Sequence, residues 1–224
     1  MTKGEQTRGL IMRKTGGLLN RYGYRATPVS AVMKVTGLKK GGLYNHFRSK
    51  KQLALETFRF NVSVMGYFLS AATRGTDDPV LKLRLLLSAS LGVAAGEAVP
   101  GGCPVLNAAV EADDAFPALR AEAAVGAENL RGRISVLLEQ ARAAGRIRAE
   151  NDTDALSFFF LASLEGGIML AKLHGDSHPL KVVVESLNRV IDGMAVEEPG
   201  HGTPRHSGHG TPWHSGNGTP WHSR

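Results

Sequence analysis

The run Lys39-Lys40-Gly41-Gly42-Leu43-Tyr44-Asn45-His46 brings together two ammonium groups, two glycines and three polar tips. Adjacent lysines can dock phosphates, and the glycines bare the backbone so that a phosphate or base edge can approach with no side chain intervening. Asn45 can make a bidentate bond to adenine, and Tyr44 can hydrogen-bond a phosphate. Leu43 and Phe47, four residues apart, should face inward.

Other reactive groups are scattered. Cys103 beside Pro104 leaves two readings open: a thiol at a helix N-terminus with a lowered pKa, hence a redox sensor, or a buried and inert cysteine. Glu111, Asp113 and Asp114 could face a cationic ligand or form a solvated acidic loop, and His174 and His178 read most simply as loop residues. The histidines His201, His206, His209, His214 and His222 could hold a transition metal loosely but supply no ordered ligand set. No nucleophile–base pairing, phosphate loop or zinc spacing is present, so the sequence points to no catalytic residue, no metal site and no cofactor.

The elements that must position the octet follow from periodicity. Ile11, Leu18, Leu19 and Tyr22 form one face of a first helix that Gly23 ends. Thr27 is a suitable N-cap and Pro28 a suitable first-turn residue for a second helix, with Val29, Val32, Met33 and Thr36 on one side. Gly37 supplies a left-handed residue, Leu38 pins the turn, and a third helix runs from Lys39 through Phe47. A helix, a short glycine turn and a basic helix describe a helix-turn-helix. A further helix from Lys50 to about residue 69 carries Leu55, Phe58, Val62, Met65 and Leu69 on its apolar side.

Beyond it the apolar bursts lengthen. Leu130, Ile134, Leu137, Leu138 and Ala141 mark one amphipathic helix; Leu180, Val183, Val184, Leu187, Ile191 and Met194 mark another, opened by Pro179. Residues 152–173 are apolar on more than one side, so that helix should be buried from two directions. Its Gly166-Gly167 pair is tolerable where another backbone packs closely. Glycines at 92, 96, 101, 102, 126 and 132 are expected to interrupt the helices and leave room for a cavity. Sustained period-2 alternation is missing, so the chain reads as all-α.

Charge divides the chain. Residues 1–60 hold thirteen Lys/Arg against Glu5 and Glu56, a net of +11, whereas residues 61–198 hold twelve against eighteen acids, a net of −6. A basic first quarter on a mildly acidic remainder suits a polyanion-binding head on a body with another task. No apolar run is expected to cross a bilayer, since Ser88, Ser90, Glu97 and Glu165 break the candidates, and no signal core opens the chain; a cytoplasmic protein without membrane partners is expected. One cysteine allows no internal disulfide. Residues 199–224 repeat every eight positions as HGTPRHSG, HGTPWHSG and NGTPWHSR, with too little to bury, and are expected to be disordered.

Thr7-Arg8, Ile11, Leu18-Leu19, Gly23-Tyr24, Thr27, Val29, the unbroken run from Thr36 to Phe47, Ser49-Lys50 and Leu53 together resemble the N-terminal DNA-binding domain of the TetR/AcrR family of transcriptional regulators. The resemblance implies a three-helix head at residues 1–50, a larger helical effector-binding and dimerisation body at 51–197, and a repeat tail at 198–224. It implies a homodimeric repressor that leaves a palindromic double-stranded operator when a small-molecule effector binds. The residues expected at DNA are Thr27, Lys39, Lys40, Gly41, Gly42, Tyr44, Asn45, His46 and Lys50. Those expected between protomers are Phe158, Leu161, Gly166, Val183, Leu187 and Ile191, on the two C-terminal helices. Lys39 stands where most members have a capping serine, Gly42 where many have threonine and Ala31 where many have aspartate, which predicts altered contacts. A sequence-tolerant structural DNA-binding protein and an enzyme using the helical pocket remain as alternatives.

Overall fold

The structure, a computed structural model, describes residues 2–112 and 116–196. Asp113, Asp114, the repeat tail and its histidines lie outside the described residues. The helices are α1 (Lys3–Tyr22), α2 (Val29–Thr36), α3 (Lys40–Tyr44), α4 (Lys50–Ala72), α5 (Pro79–Ala95), α6 (Pro104–Glu111), α7 (Pro117–Ala143), α8 (Thr153–His174) and α9 (His178–Met194). The only extended pairing among the described residues is an isolated bridge from Ile147 to Ala195. The all-α expectation holds.

Local chemistry sets the helix ends. Thr2 and Glu5 form a reciprocal capping box at the start of α1, Ser49 accepts the Gln52 N–H at the start of α4, and Asp78 and Asp152 cap α5 and α8. Prolines open α5, α6, α7 and α9, where their missing N–H costs nothing. One continuous core joins head and body, from Ile11, Leu43 and Phe47 through Phe58 and Met65 to Leu87, Leu138, Phe160 and Leu187.

Several expectations need correction. Tyr22 is 66% exposed, since the α1 stripe that reaches the core ends with Leu19. Thr27 does not cap α2: Pro28 occupies that position, and the buried Thr27 hydroxyl donates to the Gly23 carbonyl at 2.6 Å. Gly92 lies inside α5, and Gly126 and Gly132 inside α7, so these glycines do not interrupt the helices. Gly126 admits the Val105 side chain, which would stand 2.9 Å from an added Cβ. The loop between α5 and α6 does break at Gly96, Gly101 and Gly102, all with positive φ.

The C-terminal pair is the largest revision. Leu187 and Ile191, expected between protomers, are buried within one chain, because the single apolar stripe of α9 is turned toward α5 and α8. Half-buried Val183 packs where Gly167 lets the helices approach, its Cγ2 standing 3.3 Å from an added Cβ. Gly166 meets nothing there, so close packing accounts for Gly167 alone. Helix α8 shows the two apolar sides expected of it: Phe160, Leu164 and Ile168 point inward, whereas Phe158, Phe159, Met169, Leu170 and Leu173 remain exposed. By length and composition α8 could also cross a membrane, contrary to the sequence expectation. Its buried side nevertheless packs on α5, α7 and α9, and Glu165 interrupts it midway.

Candidate nucleic-acid interface

The head is built to present α3. The stripe of α2 buries Val32, and the chain then turns at Gly37 with φ 74°, a conformation that glycine adopts without strain. Leu38 fills the turn, and the Thr36 hydroxyl donates to the Val32 carbonyl at 2.8 Å. Leu43 and Phe47 enter the core as expected, each 1% exposed. Helix α3 is shorter than its periodicity suggested, closing at Tyr44 with Asn45 as C-cap.

Arg8 holds the far end of this unit. Its guanidinium sits 4.7 Å from the centre of the Phe47 ring, donates to the His46 carbonyl at 2.8 Å, and pairs through two nitrogens with the Glu56 carboxylate on α4. One side chain of α1 thus fastens the end of α3 to α4. The sequence offered Arg8 only as part of a resemblance; its role needed three-dimensional proximity.

The polar residues of α3 face outward. Lys39, Lys40, Gly41 and Asn45 are exposed, while Gly42, Tyr44 and His46 are half-buried. The Lys39 and Lys40 ammoniums, the Asn45 amide, the Tyr44 hydroxyl and the His46 ring have no partner among the described residues, although the head carries a large positive charge. No side chain caps α3, since Lys39 stands at the N-cap. A Cβ at Gly41 would meet nothing within 4 Å, so this stretch of backbone is bare. The structure brings these seven residues onto one surface. It separates two others: Thr27 is buried, and half-buried Lys50 donates its ammonium proton to the Arg25 carbonyl.

Sequence reasoning missed how the head is seated. Glu111, at the end of α6, accepts backbone N–H groups from Tyr24 at 2.6 Å, Arg25 at 2.7 Å and Ala26 at 3.1 Å. The carboxylate read as a possible cation ligand therefore holds the α1–α2 turn of the head. Beside it, Asn107 of α6 donates to the Asn20 carbonyl and side-chain oxygen, each at 3.1 Å, and Asn20 donates to the Gly102 carbonyl at 2.9 Å. The Tyr24 hydroxyl donates to Asn20 and accepts from Asn61 of α4 at 2.8 Å, and burial raises its pKa. Only paired acid and amide spacing across 80 residues could have signalled this, and no local pattern encodes it.

The body holds a small, partly open cavity of about 40 Å³ among α4, α5, α7 and α8, lined by Met65, Leu86, Val93, Cys103, Ile134 and Glu165. Cys103 is buried, and its thiol pKa is pushed well above the ordinary value, first by burial and then by the neighbouring Glu165 charge. The lowered pKa that a redox sensor needs is absent, which favours the inert reading.

Comparison with known proteins agrees with this layout. Residues 11–57 match the family described as bacterial regulatory proteins, tetR family, and residues 79–187 match the tetracyclin repressor-like C-terminal domain. A TetR transcriptional regulator from Chloroflexus aurantiacus superposes with a TM-score of 0.82 at 34% identity, over 87% of this chain and 98% of its own. The transcriptional regulator AcuR of Cereibacter sphaeroides is 28% identical over 172 residues, 76% of this chain and 78% of its own. The HTH-type transcriptional repressor DhaR of a Mycobacterium species is 26% identical over 183 residues, 80% of this chain and 90% of its own.

Proposed function

The chain belongs to the tetR family of bacterial regulatory proteins, DNA-binding regulators of transcription, and on that premise we propose that it is a cytoplasmic repressor that binds a palindromic operator as a homodimer and leaves it when a small molecule enters the body. The observation that carries this reading is the unpartnered polar surface of α3. Lys39 and Lys40 dock phosphates, Asn45 reads a base edge, Tyr44 and His46 contact backbone or base, and Gly41 and Gly42 allow close approach. Thr27 and Lys50 hold the α1–α2 turn beside this surface, through the Gly23 and Arg25 carbonyls. The head ends near residue 50, the body occupies 51–197, and the tail begins at 198.

The exposed apolar side of α8 supports the dimer. Phe158, Phe159, Met169, Leu170 and Leu173 lie on a helix whose other side is already covered, and a two-fold partner presenting the same residues buries them. The interface runs through these, with Leu161 and Gly166 at its margin; Leu187 and Ile191 act from inside each protomer. Two-fold symmetry sets the α3 helices about 34 Å apart, one turn of duplex DNA.

The test is selection of bound duplexes from a random pool, followed by titration of the winner. A short inverted repeat is expected. Lys39→Ala should weaken every sequence alike and reduce the salt slope by about 1 per half-site, whereas Asn45→Ala should relax specificity at one position in each half. Enrichment of no symmetric sequence would instead favour a sequence-tolerant structural protein.

A further inference from the structure

Glu165 is an unusual residue for the middle of an apolar helix. Its Oε1 accepts the Cys103 thiol proton at 3.1 Å, and its Oε2 is sealed from solvent with no hydrogen-bond partner. Around it stand Leu161, Leu164 and Ile168 of α8, Leu130 and Ile134 of α7, Met65 and Leu69 of α4, and Leu86 and Val93 of α5. Arg133 and Ser90 are the other polar residues of this wall; the former donates to the Ser70 hydroxyl at 2.8 Å, the latter to the Leu87 carbonyl at 2.6 Å. Neither is bonded to Glu165.

A buried polar atom without a partner is costly, and a carboxylate more so than a neutral group. We propose that Glu165 is the anchor of the effector site and that it selects a small molecule with a short apolar chain ending in an ammonium group. This rests on the ligand-switched reading above and gives it a ligand class. Burial raises the Glu165 pKa to about 6, so at neutral pH the carboxylate is mostly ionised and attracts a cation above a neutral donor. The cavity of about 40 Å³ has room for roughly three waters, which limits the guest to a few heavy atoms unless the walls move. Arg133 lines both this cavity and the outer groove between α4 and α7, so entry from that side passes the Arg133–Ser70 contact.

The site is placed to reach the head. Cys103, which shares its proton with Glu165, is the N-cap of α6, and Glu111 at the other end of α6 holds the α1–α2 turn. Lys172, two turns beyond Glu165 on α8, donates to Asn107 of α6 at 2.7 Å. An ammonium on Glu165 competes for the carboxylate that now orients Cys103, and a shift of α6 carries Glu111 with it.

The experiment is calorimetric titration of the full-length protein with propylammonium, 1-propanol and propanoate at pH 7.5, in parallel with anisotropy of the labelled operator. Propylammonium is expected to bind at least tenfold more tightly than 1-propanol, with propanoate weakest. Glu165→Gln should abolish the preference for ammonium and leave 1-propanol within about threefold. Ser90→Leu, which fills the cavity from α5, should block all three and guards against misfolding of the first variant. Equal or tighter binding of propanoate, an unchanged ammonium preference in Glu165→Gln, or failure of propylammonium to bind overturns the proposal, and none of these results touches operator recognition. Propylammonium that binds through Glu165 yet leaves operator affinity unchanged upholds the site and its selectivity while overturning the ligand-switched reading.

Discussion

Replacing Glu111 by alanine should loosen the α1–α2 turn from α6 while leaving the fold, and the seam between α1 and α4, intact. In the intact chain two carboxylate oxygens accept three backbone N–H groups, at 2.6, 2.7 and 3.1 Å. The Arg25 and Ala26 contacts are exposed, so water replaces the lost acceptor and each contributes about 0.5 kcal/mol; the Tyr24 contact is partly buried and, with a charged acceptor, contributes about 1.5 kcal/mol. The sum, about 2.5 kcal/mol, lies on the attachment of the α1–α2 turn to α6, since the core shared by head and body is untouched. Local opening at this turn should therefore become more frequent by a factor of about 70. Hydrogen exchange at the Tyr24, Arg25 and Ala26 amides should accelerate accordingly, while core amides such as those of Leu87 and Leu138 keep their rates. Operator affinity should drop as well, because binding must then fix two heads whose spacing was set in advance. Glu111→Gln keeps one carbonyl oxygen and should fall between. Exchange at these three amides indistinguishable from the parent in Glu111→Ala would refute the latch.

Three further outcomes are expected. Gly41→Ala should raise the melting temperature by about 1–3 °C, since alanine favours the helix by about 0.5–1 kcal/mol and its Cβ meets no neighbour, yet it should weaken operator binding about tenfold if DNA approaches this backbone; a gain in both would remove Gly41 from the interface. Leu173→Glu, at a position 74% exposed on α8, should shift the dimer toward monomer by tenfold or more in sedimentation, and a variant that sediments like the parent at low micromolar concentration would exclude this side of α8 as the interface. Glu165 has a folded-state pKa of about 6 against an ordinary 4.5, so the folded state holds the extra proton and stability falls as pH rises through that window, by about 2 kcal/mol. Glu165→Gln should therefore gain about that much over the parent in urea unfolding at pH 7.5 and lose the advantage near pH 4.5; a constant difference across the range would contradict the burial of this carboxyl.

The helices α1 to α4 and α7 to α9 were legible because apolar stripes at helical spacing agreed with Gly23, Gly37 and Pro179 at helix ends, whereas α5 and α6 were not assigned from the sequence, although Asp78 and the prolines at their starts mark them. The α3 surface was legible for the same reason, its inward pair Leu43 and Phe47 fixing which way Lys39, Lys40 and Asn45 must point. What the sequence did not show is which partner the apolar stripe of α9 would find. Leu187 and Ile191 have the periodicity of an interface helix, but α5 and α8 of the same chain use that stripe first. The glycines of α1 are the converse case. Gly16 lowers the helix propensity of α1, but an added Cβ would stand 2.5 Å from the Asn61 side chain, so the helix gives up propensity for the close approach of α4.

That approach decides how a signal can travel. Thr15 of α1 lies 3.5 Å from Thr57 of α4 through their hydroxyls, Asn61 of α4 donates to the Gly16 carbonyl at 3.0 Å and to the Tyr24 hydroxyl, and Arg8 pairs with Glu56. Thr15, Thr57, Asn61 and Tyr24 in this seam are buried and the Arg8–Glu56 pair is half-buried, all of them bonded, so sliding α1 along α4 would break several contacts at once, and the head must move with the first turns of α4 as one piece. A second attachment runs from the α1–α2 turn through Glu111 and Asn107 to α6, and from Asn107 to Lys172 on α8. A guest that displaced only α4 would strain the α6 attachment, and one that displaced only α6 would leave the head fixed by α4. The cavity touches both, through Met65 and Leu69 on α4 and through Cys103 at the start of α6. An effector there can bias the two attachments together, which is the condition for turning a change of a few atoms into a new spacing of the DNA-reading helices.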